Sequence, residues 1–99
     1  MSQIAVVARF VAKPGSEGAL EEVLKTAVEP TQSESGCIMY LLHRSSSNPS
    51  EYWFLEQWEN RESLEVHSRS AHIKSLRQSC QSLVSTDPLV IVLDPVVSN

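Results

Sequence analysis

The feature that most constrains the fold of this chain is the order in which its hydrophobic period changes. Apolar runs rich in β-branched and aromatic residues, typical of strands, occupy residues 4–11, 37–43, 52–58 and 89–93. The intervals after the first and third of these runs instead repeat apolar residues every three or four positions, which is helical spacing. Turn-forming sequences at 13–15, 45–50 and 87–88 separate the segments. The pattern predicts the element order βαββαβ.

Prolines and capping residues fix where the predicted helices begin and end. The first helix starts after Ser16 and must kink or stop near Glu29, because Pro30 lacks an amide proton and crowds the preceding turn. Asn60 and Ser70 are good N-caps and divide the second helical interval in two. We therefore predict an α+β fold of the ferredoxin-like type, an antiparallel sheet with helices on one face, as a single domain over residues 1–99 with its core at about 4–93.

Both faces of the predicted sheet are apolar. The helices can cover only one face, and the open face of an antiparallel sheet normally carries polar residues. We therefore predict a homodimer in which the open faces of two sheets pack together as a dimeric α/β barrel. One face carries Val6, Ala8, Phe10, Ile38, Tyr40, Leu42, Phe54 and Trp58. The other carries Val7, Val11, Met39, Leu41, Trp53, Leu55, Val90 and Val92.

Charge and composition narrow the classes of partner. The chain has 12 acidic against 8 basic residues, and the basic residues form no cluster, so we predict no nucleic-acid binding. No apolar run approaches the roughly 20 residues that span a bilayer, and no charged leader opens the chain. We therefore expect no membrane partner and a cytoplasmic location. Cys37 and Cys80 lack the spacing of metal or redox motifs and are predicted to be buried, reduced thiols.

A polar cluster in apolar surroundings marks a candidate site between residues 53 and 72. Phe54, Glu56 and Trp58 alternate along one strand and share one face, and the helix that follows carries His67 on its apolar side. A carboxylate, an indole and an imidazole on adjoining buried surfaces are more than a packed core requires. The pattern predicts a pocket for a small molecule.

Several segments of the chain resemble one known family. They are ARFVAKPG at 8–15, GCIMY at 36–40, the triplet Glu56-Gln57-Trp58, and Leu64, His67, Ser70 and His72. Together they resemble the antibiotic biosynthesis monooxygenase family of dimeric α+β barrels, and within it the small quinol-monooxygenase-like proteins. The resemblance implies oxygenation of an electron-rich phenol, quinol or polyketide without metal, flavin or haem. Some proteins that look alike isomerise small carbohydrate phosphates, and others have no known reaction.

The resemblance also implies roles for individual residues. Oxygen reacts slowly with neutral organic molecules, so the substrate must first lose a proton, and His67 is the predicted base because imidazole titrates near neutral pH. Tyr40 is expected to donate a hydrogen bond to the developing oxyanion, and Glu56 to orient the imidazole. The predicted substrate-binding residues are Arg9, Phe10, Phe54, Trp58, Leu64 and His72.

Departures from the family pattern bear on cofactors. Gln32 stands where many relatives have arginine, which weakens the case for a phosphate ligand. Haem-degrading relatives need a tryptophan and an iron-ligating histidine, whereas His67 and Arg77 occupy roughly those places here. His43, His67 and His72 are not expected to converge as zinc ligands. We predict no metal and no cofactor.

Three functions remain open at this point. The first is a cofactor-independent monooxygenase of a small quinol or phenol. The second is an acid–base isomerase of a hydroxyketone or sugar phosphate, in which His67 and Glu56 would move a proton without consuming oxygen. The third is a non-catalytic dimer that binds a hydrophobic or aromatic ligand. We favour the first.

Overall fold

The computed structural model describes residues 3–97, which form four strands and four helices. In chain order these are β1 (Ile4–Val11), α1 (Glu17–Lys25), α2 (Val28–Gln32), β2 (Cys37–Arg44), β3 (Glu51–Trp58), α3 (Arg61–Ser68), α4 (Ala71–Cys80) and β4 (Leu89–Leu93). None of the helices in this part of the chain has both the length and the hydropathy that a membrane span requires.

The four strands form one antiparallel sheet in the order β2-β3-β1-β4. Alternate residues of β1 and β3 are buried, because every second side chain of a strand points to the same face. The helices cover this face with Leu20, Leu24, Ile73 and Leu76, which join the strand residues in one hydrophobic core. The ferredoxin-like α+β fold predicted from the sequence is confirmed.

Local sequence signals explain the helix ends. The Asn60 and Ser70 side chains each accept a hydrogen bond from the amide three residues later, so both predicted N-caps are confirmed. The predicted stop near Glu29 is misplaced, because α1 already ends at Lys25 and α2 contains Pro30 in its first turn. A proline is tolerated there, since amides in the first turn have no partner within the helix.

Three residues are assigned to the wrong face of the sheet. Val92 lies opposite Val6 in the pairing of β4 with β1, so Val90 and Val92 share the helix-covered face instead of the open one. A bulge at the start of β2 leaves Ile38 without a pairing partner and 44% exposed, instead of facing the helices. Strand register and bulges depend on long-range pairing, which alternation within one strand does not reveal.

The face of the sheet away from the helices is largely apolar. Its exposed residues include Leu41, Leu89, Ile91 and Leu93, each between 39% and 43% exposed. The edge strand β4 is exposed along its whole length. The sheet of one chain therefore presents an uncovered apolar surface on the side opposite its core.

Candidate functional site

A cavity lies between the sheet and the helices α3 and α4. Its volume is about 90 Å³, and beside Phe10, Arg77 and Val90 it meets a wider groove of about 370 Å³. The inner cavity is lined by Val6, Ala8, Phe10, Tyr40, Phe54, Glu56, Leu64, His67, Ser68, Ile73, Leu76, Arg77 and Val90. Most of these side chains are apolar, so a group bound inside would be largely removed from water.

Aromatic rings form one wall of the cavity. Tyr40 and Phe54 stack with their ring centroids 4.6 Å apart, and Phe10 meets Phe54 edge-on at 5.8 Å. The pairing register explains this grouping, because all three rings belong to the helix-covered face of adjacent strands. Leu64 closes the wall from α3. The structure thus places Phe10, Phe54 and Leu64, three of the predicted substrate-binding residues, in the lining of one cavity.

His67 reaches the cavity from the last turn of α3, one turn beyond Leu64. Its side chain is 7% exposed, and its ring lies 4.6 Å from that of Trp58. His67 Nδ1 is 2.9 Å from Glu34 Oε2. An ionised carboxylate can only accept a hydrogen bond, so Nδ1 carries the proton of the neutral ring and Nε2 keeps its lone pair. Burial lowers the pKa of His67, against the opposing effect of the Glu34 contact.

Glu34 joins His67 to a second histidine. It lies in the turn between α2 and β2, and its Oε2 is also 2.8 Å from His72 Nε2. The Ser70 hydroxyl donates to the His67 carbonyl oxygen at 2.7 Å. The three ligand-type atoms of Glu34, His67 and His72 lie within 4.8 Å of one another, so they could hold a metal ion. The expectation that these two histidines do not converge is therefore wrong, whereas His43 lies exposed on β2.

Glu56 places a second carboxyl group at the cavity. It is paired with Val6 and Tyr40 on the neighbouring strands, and its Oε1 accepts a hydrogen bond from Trp58 Nε1 at 2.9 Å. Burial raises the pKa of Glu56 to about 7, against the opposing effect of the Trp58 hydrogen bond. Burial also raises the pKa of Tyr40 well above its ordinary value. Near neutral pH the cavity therefore holds a carboxyl group that can gain or lose a proton and a phenol that stays protonated.

The structure does not bring every predicted site residue to the cavity. Trp58 packs against His67 and binds Glu56 instead of lining the cavity. The carboxylate that contacts the His67 imidazole is Glu34, and not Glu56 as predicted. Arg9 lies on the open face, because odd-numbered residues of β1 point away from the helices. A ligand in this cavity is therefore out of reach of Arg9.

Sequence reasoning missed several residues of the site, chiefly Glu34 and Arg77. Glu34 precedes Gly36 by two residues in the ESGC segment. Gly36 lies so close to Ser63 of α3 that a side chain at position 36 would overlap it. The glycine lets the turn that carries Glu34 lie against α3, but this closeness follows from the fold, and no local sequence signal predicts it.

The fold and the cavity together define a class of protein. It is a ferredoxin-like α+β domain that encloses an apolar cavity between sheet and helices, with an imidazole and a carboxyl group at the cavity wall. Such a site can take a proton from a small substrate and return it. The chain belongs to the antibiotic biosynthesis monooxygenase family, which matches residues 3–79.

Individual relatives agree with this assignment. Rv0793 of Mycobacterium tuberculosis is 33% identical over 95 residues, which make up 96% of this chain and 93% of that protein. The solved structure of Rv0793 matches with a TM-score of 0.93 at 32% identity and covers 98% of both chains. PA3566 of Pseudomonas aeruginosa matches with a TM-score of 0.91 at 26% identity, over 98% of this chain and 97% of that one. A crystal structure described as an antibiotic biosynthesis monooxygenase matches with a TM-score of 0.89 at 26% identity, over 95% and 99%.

Proposed function

We propose that this chain is a monooxygenase that acts on a small quinol or phenol and needs no metal, flavin or haem for the reaction. The observation that carries the proposal is the hydrogen bond of His67 Nδ1 to Glu34, on a ring that also borders the apolar cavity. An imidazole fixed in this tautomer can accept a proton at Nε2 from a hydroxyl group bound in the cavity. His67 is thus the proposed base and Glu34 its positioning residue.

The proposed chemistry starts with removal of the hydroxyl proton. Ground-state oxygen reacts slowly with a neutral phenol or quinol because of its triplet spin state, whereas a phenolate gives up an electron readily. Superoxide and the substrate radical then combine to a peroxide. Its O–O bond breaks so that one oxygen atom stays on a ring carbon and the other leaves as water. A quinol becomes a hydroxyquinone, and the ring supplies all the electrons.

Two further groups at the cavity support this sequence of steps. Glu56, with a pKa of about 7, can give a proton to the leaving oxygen of the peroxide. Tyr40 lines the same cavity and can donate a hydrogen bond to the phenolate oxygen. The stacked and edge-on rings of Phe10 and Phe54 hold the substrate ring and limit the access of water.

The size of the cavity limits the substrate. Pockets for drug-sized ligands span roughly 300–1,000 Å³. The inner cavity of about 90 Å³ is far smaller, but the adjoining groove adds a volume of about 370 Å³. We infer that the reacting part of a one- or two-ring quinol enters past Phe10 and Val90, while its substituents lie in the groove beside Arg77.

Oxygen uptake tests the proposal directly. The full chain should consume oxygen with a chemically reduced naphthoquinone faster than the uncatalysed reaction does, and with labelled oxygen one labelled atom should enter the product. His67→Ala should lower the rate by about 10²–10⁴-fold, because the base is lost. His43→Ala is the matched control, since this histidine is exposed and lies outside the site. Equal rates for His67→Ala and the wild type would contradict the assignment of the base.

A second candidate function is supported by the presence of two acid–base groups on one cavity. His67 and Glu56 both line it, so the pair could move a proton between neighbouring carbons of a hydroxyketone. Solvent deuterium that enters such a substrate without oxygen consumption would favour this isomerase. Ligands that raise the melting temperature yet are recovered unaltered would favour a binding protein instead.

We also propose that two chains associate through their open sheet faces. The support is the apolar surface that includes Leu41, Ile91 and Leu93, which no element of the described chain covers.

We also propose a cytoplasmic location. Cys37 and Cys80 are both free, and thiols stay reduced in the cytoplasm.

A further inference from the structure

We infer that Glu34, His67 and His72 form a binding site for a divalent transition-metal ion such as Zn²⁺. The three residues come from the α2–β2 turn, the end of α3 and the start of α4. Their ligand-type atoms, one carboxylate oxygen and two imidazole nitrogens, lie within 4.8 Å of one another. Two histidines and one glutamate are a known three-ligand set for zinc, which leaves a further position open for water or another ligand.

The ligand atoms must move to accept an ion. Glu34 Oε2 lies 2.9 Å from His67 Nδ1 and 2.8 Å from His72 Nε2. Around a tetrahedral zinc ion with bonds of roughly 2.0–2.1 Å, neighbouring ligand atoms are roughly 3.3 Å apart. Each nitrogen–oxygen pair would therefore open by about half an ångström, and the two nitrogens, up to 4.8 Å apart, would close by about 1.5 Å. Rotations of the partly exposed Glu34 and His72 side chains can supply these changes.

Charge and exposure at the cluster also favour a cation. The side chains of His67, Glu34 and His72 are 7%, 16% and 27% exposed, so the site is held by its surroundings yet open to an ion on the His72 side. Within residues 3–97, Glu34 forms no ion pair with any lysine or arginine. A carboxylate without a cationic partner is a favourable ligand for a divalent ion.

The ligands are held in place by neighbouring groups. The Trp58 ring packs 4.6 Å from the His67 ring. Ser70 caps α4 and binds the His67 carbonyl oxygen, which fixes the spacing between the two histidines. Gly36 allows the turn that carries Glu34 to lie against α3. A site of this kind is preorganised, so less conformational freedom is lost when an ion binds.

Metal binding would change the role of His67. A neutral imidazole carries one proton on its two nitrogens, and an ion at Nδ1 needs the lone pair of that atom. The Nδ1 proton is therefore lost and one is taken up at Nε2, which turns Nε2 from an acceptor into a donor. In this tautomer His67 cannot take a proton from a hydroxyl group, so the ion would inhibit the oxygenation. This consequence rests on the proposed function, whereas the site itself does not.

Cobalt binding to the full chain tests the site, because the visible spectrum of Co²⁺ reports the coordination and a separate near-ultraviolet band reports thiolate ligands. The wild type should bind one Co²⁺ per chain, without the thiolate band, and release it to Zn²⁺. His72→Ala and Glu34→Gln should each weaken binding by more than about tenfold. His43→Ala removes a histidine outside the cluster and should bind as the wild type does.

Two results would overturn the inference. One is Co²⁺ binding to the wild type no tighter than to His72→Ala, with both proteins folded by circular dichroism. The other is a spectrum dominated by the thiolate band. Nitrogen NMR of the histidine rings adds a readout that needs no substrate, since Zn²⁺ should move the His67 proton from Nδ1 to Nε2. If that shift occurs while no oxygen uptake is ever found, the metal site stands and the proposed oxygenase function fails.

Discussion

Among single residues, Glu56 is the one whose chemistry depends most on burial. The residue is 5% exposed, and its carboxyl group accepts a hydrogen bond from Trp58 Nε1. A buried carboxylate needs several donors or a nearby cation to stay ionised. Within residues 3–97 no lysine or arginine forms an ion pair with it. The pKa of Glu56 therefore rises to about 7, and the group is available for proton transfer near neutral pH.

Glu56 should also make the stability of the chain depend on pH. Its pKa is about 7 in the folded chain against an ordinary value of 4.5, so between these pH values the folded state binds more protons than the unfolded state. The contribution of Glu56 to the free energy of unfolding should then fall as the pH rises from about 4.5 to about 7, by roughly 3 kcal/mol in all, and stay level above that. In Glu56→Gln this contribution should vanish.

Urea unfolding at about pH 5 and about pH 8, followed by tryptophan fluorescence, measures the effect. The relevant quantity is the difference in the free energy of unfolding between wild type and Glu56→Gln, because the contributions of the histidines cancel in this difference. Glutamine can still accept the Trp58 hydrogen bond, so the variant should remain folded. Parallel pH profiles for the two proteins would show that Glu56 keeps its ordinary pKa.

At the scale of structural elements, the turn between α2 and β2 determines how the site is assembled. It carries Glu34 and then Gly36, whose carbonyl oxygen accepts a hydrogen bond from the Glu59 amide at 2.9 Å. An added side-chain carbon at Gly36 would overlap Ser63 in the first turn of α3. The glycine is therefore required for close approach, since its φ is not in the left-handed region. This approach brings Glu34 within reach of His67.

Replacing Gly36 by alanine should push the turn away from α3. The overlap with Ser63 should destabilise the fold by about 1–3 kcal/mol and weaken the Glu34 contact with His67. Gly18→Ala is the matched control, because that glycine lies in α1 with open space around it, and it should raise stability by about 0.5–1 kcal/mol. Thermal unfolding of both variants measures the difference. Equal melting temperatures for the two variants would contradict the close approach of Gly36 to Ser63.

The sequence predicted the elements well because the signals for them are local. The switch of hydrophobic period places every strand and helical interval, and the caps at Asn60 and Ser70 act within one turn. The errors arise where contacts between residues distant in the sequence determine the structure. The register of β4 depends on its pairing with β1, and the bulge beside Ile38 depends on β3. Alternation within a single strand contains neither piece of information.

The residues of the candidate site also fall into two groups, those that local sequence patterns predict and those that only the fold brings together. The aromatic wall of Phe10 and Phe54 follows from alternation along strands, and the inward position of His67 follows from helical spacing. Glu34 could not be paired with His67 from the sequence, because 33 positions separate them and only the fold brings them together. Arg9 was assigned to the site on chemistry alone, although strand alternation puts it on the open face.

For the whole molecule, the open sheet face of an isolated chain exposes apolar residues to water, which is unfavourable. Val7 lies between Leu55 and Ile91 in the strand register, and Leu41 adjoins Leu55, so the exposed apolar residues are contiguous. On the same face, Arg9 Nε is buried without a hydrogen-bond partner among residues 3–97. A second copy related by two-fold symmetry would cover these apolar residues and could supply an acceptor for Arg9.

If the open face is the dimer interface, Leu41→Lys should separate the two chains. The substitution puts one unpaired charge from each chain into the contact, at a cost of several kcal/mol, so the dissociation constant should rise by more than about 100-fold. Val66→Lys is the matched control, because Val66 is 53% exposed on α3, away from the open face. Sedimentation equilibrium should give twice the chain mass of 11.0 kDa for the wild type and Val66→Lys, and one chain mass for Leu41→Lys. The melting temperature of the wild type should also rise with protein concentration. A wild type of one chain mass at micromolar concentration would rule out the dimer, and a dimeric Leu41→Lys would place its interface elsewhere.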